Sequence, residues 1–200
     1  LQEFALARTF AQSNASFSNH LALGTASKVV QSLADELIVQ KEGKRISLLD
    51  AQRLLLHLRR NAREASRLSL LGKTSLSQSQ IWEKLSEAMD NNGLRGVATG
   101  VASAGRYRVL SGVEMLSLYV SDLERASELL EVRSTRAFAN IQIFEERKNV
   151  VYFDARTEGS IRWASPIQTW LELANGASRE QEAAEELERL LKNGHGDELF

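Results

Sequence analysis

Between Thr25 and Leu48 the spacing of apolar residues switches from a helical to a strand-like period with no linker in between. Val29, Val30, Leu33, Ala34 and Leu37 recur at helical spacing and leave Lys28, Gln31, Ser32 and Asp35 on the opposite face. Thr25 is placed to cap this helix. Ile38, Val39, Gln40 and Lys41 then lead through Glu42-Gly43 into Lys44, Arg45, Ile46, Ser47 and Leu48, two short runs joined by two residues. The second of those two residues tolerates positive φ, so the pattern predicts a tight hairpin. A helix that feeds a hairpin this directly has few partners able to cover it.

The chain on either side supplies them. Phe4, Ala5, Leu6, Phe10 and Ala11 form a stripe on a first helix over residues 2–12. Asn14, Ser16 and Ser18 are candidate caps of a second, carrying Phe17, Leu21 and Leu23 and stopping at Gly24. After the hairpin, Asp50 caps a helix with Leu54, Leu55 and Leu58 inward. Three helices, a hairpin and a closing helix make a winged helix-turn-helix, expected over residues 1–65.

Charge says what such a domain could bind. The whole chain is nearly neutral, at −1. Residues 28–63, however, hold eight cationic side chains (Lys28, Lys41, Lys44, Arg45, Arg53, Arg59, Arg60, Arg63) and four carboxylates, leaving +4 there and −5 elsewhere. A basic segment on an acidic remainder calls for an anionic partner. In a winged helix the third helix enters the major groove and the hairpin lies along the backbone. Thr25, Ser27, Lys28, Gln31 and Ser32 are therefore the expected contacts to base edges or phosphates, and Lys41, Lys44 and Arg45 the expected phosphate contacts. A merely solvated basic face is the competing account, and Asp35, Glu36 and Glu42 count against a purely electrostatic binder.

Residues 66–200 alternate between strand and helix signals. "RLSLL" reads as a strand, and "SQSQIWEKLSEAMDNNG" as a helix capped near Ser77, ended at Asn92-Gly93, with Ile81, Trp82, Leu85 and Met89 buried. "EMLSLYV" is a strand and "DLERASELLEV" a helix capped by Asp122. "FANIQIFEE" and "VVYFDAR", separated by "RKN", are expected to pair antiparallel. Pro166 takes the first position of the helix "PIQTWLELA". A last helix, "SREQEAAEELERLLKN", runs from acidic to basic, matching the helix dipole. The expected class is α+β, a winged helix followed by a mixed α/β domain.

Several chemistries are disfavoured. There is no cysteine, and His20, His57 and His195 lack zinc-ligand spacing, so no metal or cofactor is expected. No apolar run approaches the roughly 20 residues of a membrane span, and "LQEFALARTFAQSNASF" lacks a signal-peptide pattern, so a cytoplasmic protein without a membrane partner is expected. "GKTS" at 72–75 follows a strand, but the phosphate-loop pattern needs a glycine where Arg67 stands. "GVASAG" at 100–105 is not a nucleophile elbow. Ser103 and Gly105 precede a strand ending near Asp122 and Glu124, with Asp154 at the end of a later one. Such carboxylates beside a small-residue turn are what two-metal nucleotidyl transfer uses, although capping by Asp122 and pairing of Asp154 with Arg156 or Arg162 explain them more simply.

The segments "TASKVVQSLADELIVQKEGKRISLLDAQRLLLHLRRN", "ATGVASAGRYRVLSGVEMLSLYVSDLERA" and "VVYFDARTEGSIRWASPIQTWLELANGASREQEAAEELERLL" resemble the AbiEi family of bacterial antitoxins and transcriptional regulators of type IV toxin-antitoxin systems. The resemblance covers about residues 10–192. It implies a winged helix that binds double-stranded DNA at its own promoter and a second domain that counteracts a nucleotidyltransferase-like toxin. It also implies that the second domain is itself a degenerate nucleotidyltransferase-like fold. No enzymatic activity is expected on this reading. The alternative is a winged-helix-fused nucleotidyltransferase enzyme using Mg²⁺, and a third reading makes the winged helix a protein-interaction module. A single short wing reads few bases, so a homodimer or cooperative assembly on DNA is expected.

Overall fold

The computed structural model describes residues 23–43, 45–61, 68–107, 115–147 and 149–192. The two helices expected before Gly24 therefore lie outside the described residues, apart from Leu23. Contacts divide the chain into two compact units, Leu1–Ala62 and Arg63–Phe200. No helix among the described residues is long and apolar enough to cross a membrane.

The first unit runs α1 (Leu23–Asp35), β1 (Val39–Glu42), β2 (Arg45–Leu48) and α2 (Ala51–Asn61). Thr25 lies inside α1 instead of capping it, because the helix already begins at Leu23. The end of α1 departs further from expectation. Leu37 adopts φ +56 and is 66 % exposed, so it leaves the apolar stripe assigned to it. The Ile38 amide donates to the Leu33 carbonyl at 2.9 Å and the Leu37 amide to Ala34 at 3.0 Å, the two bonds of a Schellman stop. A leucine occupies the left-handed position that glycine usually takes. The reward is Ile38, 2 % exposed, turned back into the core with Val39 and Leu55. Val29 also stays outside, at 51 % exposure.

Strands β1 and β2 pair antiparallel from Val39–Leu48 to Glu42–Arg45, with Gly43 at φ +62. The turn thus follows Glu42 and does not include it. Asp50 caps α2, its Oδ1 accepting from the Arg53 amide at 2.9 Å. Arg53 donates to the Glu36 carbonyl at 3.4 Å, and His57 Nδ1 sits 3.5 Å from the Glu36 carboxylate. These contacts hold α2 against the end of α1.

The second unit runs β3 (Ser69–Lys73), α3 (Gln78–Asn92), β4 (Gly96–Ala98), α4 (Gly100–Ala104), β5 (Leu116–Val120), α5 (Leu123–Leu129), β6 (Arg133–Ser134), β7 (Ile141–Glu145), a 3₁₀ turn (Asn149–Tyr152), β8 (Arg156–Glu158), β9 (Ile161–Trp163), α6 (Pro166–Leu173) and α7 (Ser178–Lys192). The strands form one mixed sheet in the order β6-β3-β7-β5-β4-β9-β8. Strands β5 and β7 are parallel, as are β4 and β9, and the other neighbours are antiparallel. The molecule is thus a mixed α+β protein with seven α-helices among the described residues.

Alternation along β5 divides the core. Leu118 and Val120 join Ile81, Trp82, Leu85 and Ala88 of α3, Ala126 and Leu130 at α5, and Ile141 and Ile143 of β7. Tyr119 points the other way, with Val97, Val151, Tyr152 and Ala164. The cap readings hold on α3, where Ser77 and Gln80 form a capping box and Gly93 closes the helix at φ +68. Pro166 stands in the first turn of α6 as expected, and Ser165 before it caps the helix, its hydroxyl accepting from the Gln168 amide at 3.1 Å. Met89, expected on the buried face with Ile81, Trp82 and Leu85, is half-buried.

The antiparallel pair expected from "FANIQIFEE" and "VVYFDAR" does not form. Strand β7 is held between β3 and β5, so neither side is left for the following segment. Residues 149–152 instead wind into the 3₁₀ turn that buries Val151 and Tyr152 side by side. Strand β8 begins only at Arg156 and pairs with β9.

Two buried phenols give this unit an alkaline limit. Burial pushes Tyr107 up to about 12 against the lowering pull of Arg156 and Arg106, and its hydroxyl donates to the Ala164 carbonyl. Burial likewise raises Tyr152, with nearby Arg95 opposing, and its hydroxyl donates to the Glu146 carbonyl at 2.9 Å. In the unfolded chain both release a proton near the ordinary value of 10.0, before the folded phenols do. The stability these two phenols contribute is therefore whole below pH 10 and is lost as pH rises from 10 through 12. Thermal melts across that range should show the decline, more weakly in Tyr152→Phe than in the parent. A midpoint that stays flat would contradict it.

Candidate nucleic-acid interface

The polar face of α1 is built by sequence spacing alone. Thr25, Lys28 and Ser32 follow one another at three- and four-residue steps, and Ser27 and Gln31 flank them, so the five share about half the helix circumference. All five are exposed. Gln31 is not idle, since its Nε2 donates to Asp35 Oδ1 at 2.8 Å. Of the three cations assigned to the hairpin, Lys41 and Arg45 are exposed and Lys44 lies outside the described residues.

The register of the hairpin separates those two cations. Lys41 stands opposite Ile46, whereas Arg45 stands opposite Glu42. Directly opposed residues share a face and successive residues alternate, so Lys41 and Arg45 project from opposite faces of the ribbon. Glu42 also accepts from Gln40 Nε2 at 2.8 Å, which fixes a carboxylate on the Arg45 face. Lys41, facing an isoleucine, is the less compensated of the two. Arg59 and Arg60, in the last turn of α2, add exposed positive charge to the same unit.

The second unit does not assemble the two-metal arrangement. Asp122 caps α5, its Oδ1 accepting from the Arg125 amide at 3.1 Å. Glu124 lies in the first turn of α5, and Asp154 bonds Arg156 at 3.1 Å. The small-residue turn is at the wrong end of β5 for Asp122 and Glu124. The Thr99 amide donates to the Ser117 carbonyl, five residues before Asp122, which at strand rise is about 17 Å away. Among the described residues no group of three or more His, Asp or Glu is placed to hold a metal ion.

Ser103 and Gly100 of that turn have packing roles instead. Ser103 is fully buried and its hydroxyl lies 3.0 Å from the Gly100 carbonyl and 2.9 Å from Thr169 Oγ1. Thr99 and Gln168 both donate to the Glu172 carboxylate, tying the end of β4 to α6. Gly100, at φ +52, brings the backbone close to that carboxylate.

No known family, curated protein or solved structure matches the chain.

Proposed function

We propose that the chain is a DNA-binding transcriptional regulator whose first unit is a winged helix, and that it serves as the antitoxin of a type IV toxin-antitoxin pair, repressing its own operon. The observation that carries the DNA-binding part is the continuous exposed face of Thr25, Ser27, Lys28, Gln31 and Ser32 on α1, followed at once by a basic hairpin. Short hydroxyl and amide side chains on one helix face suit base-edge contacts, and cations on a ribbon suit phosphates. The resemblance to AbiEi antitoxins supports the regulatory role and names a nucleotidyltransferase-like toxin as the second partner. Engagement of Asp122 and Asp154 in local bonds weighs against the nucleotidyltransferase alternative.

The test is titration of the chain with its own upstream DNA and a scrambled duplex at two salt concentrations. Preferential, salt-sensitive binding of the upstream duplex is expected. Lys41→Ala should weaken both duplexes about equally and reduce the salt slope by about 0.9, and Arg45→Ala should do less because Glu42 already faces it. Gln31→Ala should instead erode the preference for the upstream duplex. Equal binding of both duplexes, or no change with Lys41→Ala, would sink the proposal.

A further inference from the structure

We infer that the outer edge of the second unit's sheet, at Lys73 and Arg133, binds a nucleotide, with its phosphate on those two cations and its base against Phe138. The first observation is the register of β3 and β6, which sets Lys73 directly opposite Arg133. Like charges directly opposed across an antiparallel pair repel each other. Among the described residues no carboxylate forms an ion pair with either one. The acid that lines the cleft, Glu131, is bonded to Lys84 at 3.3 Å. An anion arriving between the two cations would relieve the repulsion.

The second observation is the space between them. A cleft of about 560 Å³ is lined by Lys73, Ser75, Glu131 and Arg133 among others, a size within the range of small-molecule sites. Its walls are firmly built. The Thr74 hydroxyl donates to the Leu130 carbonyl at 2.7 Å, and Asn140 bonds both the amide and the carbonyl of Thr74, at 3.0 and 2.9 Å. Those groups are committed to the fold, which leaves the Lys73 ammonium, the Arg133 guanidinium and the exposed Ser75 hydroxyl for a ligand.

The third observation is an aromatic ring in an improbable place. Phe138 is 88 % exposed, on a residue held at φ +55, and the Lys73 ammonium lies 5.9 Å from its ring centroid. An open ring beside two cations that hold no carboxylate among the described residues is the combination that stacks a base while its phosphate is neutralised. The guanidinium fork of Arg133 can take two phosphate oxygens at once, and the Lys73 ammonium adds a point charge. The source is either a free nucleotide or a single-stranded end, since both present this chemistry.

The experiment is calorimetric titration of the full chain with ATP, a short single-stranded oligothymidine and inorganic pyrophosphate, for the parent, Arg133→Glu and Phe138→Ala. ATP or the oligothymidine is expected to bind saturably, and the tighter of the two identifies the source. Arg133→Glu should cost at least about tenfold in affinity while raising the thermal midpoint, because it turns a repulsive cross-strand pair into an attractive one. The higher midpoint separates lost binding from lost folding. Phe138→Ala should weaken the base-bearing ligands and spare pyrophosphate. Absence of binding by all three, binding that survives Arg133→Glu, or pyrophosphate binding as tightly as ATP would each overturn the inference.

Discussion

Trp82→Ala is expected to destabilise the second unit by about 3–5 kcal/mol, seen as a lower urea midpoint with unchanged slope. The ring is fully buried on α3 and lies 6.5 Å from the Trp163 ring at a tilt of 48°. It fills the space between that helix and the sheet, among Ile81, Leu85, Leu118 and Ile143. Its indole nitrogen has no hydrogen-bond partner among the described residues, so the cost is one of apolar contact and residual cavity. Trp82→Phe, which keeps most of the contact area, should cost much less. A loss below about 1 kcal/mol for the alanine variant would mean that α3 collapses onto the sheet freely.

Gly72→Ala should cost the same unit about 1–3 kcal/mol, for the opposite reason of overfilling. A β-carbon at that position would lie 2.5 Å from Val132 Cγ1 and 2.6 Å from the Arg133 carbonyl oxygen. The second of these is backbone and cannot rotate away. Relief requires β6 to move off β3, so amide exchange should accelerate at Thr135, whose N–H donates to Leu71. An unchanged thermal midpoint and unchanged exchange would show that the edge strand yields without cost. The glycine of "GKTS", which suggests a phosphate loop in sequence, is thus there because a neighbouring strand passes close by.

What the sequence revealed and what it hid divide along the range of the interactions. Caps are local, so Ser77, Asp122 and Pro166 at the first helical position could be read directly and mark true helix starts, whereas Thr25 fell inside a helix that already begins at Leu23. The strand signal at residues 141–145 was equally plain, but its partners were not. Ile141 and Ile143 are fully buried in a strand with neighbours on both sides, and nothing within "RKN" says that the next segment must turn away. At the candidate interface, residue identity showed which face of α1 is polar. It could not show that Lys41 and Arg45 diverge, because a shift of one residue in the turn exchanges the faces of a ribbon. The opposition of Lys73 and Arg133 was hidden for the same reason, since register between distant segments is set by the whole sheet.

The order of strands also dictates when the molecule can take shape. In the first unit, β1 meets β2 across a single tight turn, so that ribbon can close as soon as both strands exist. The second unit has no such shortcut at its centre. Strand β3 must wait for β7, and β4 for β9, each more than sixty residues further along the chain. During synthesis the early strands therefore leave the ribosome with their pairing edges open, and the sheet closes late, by loop closures that are slow for their size.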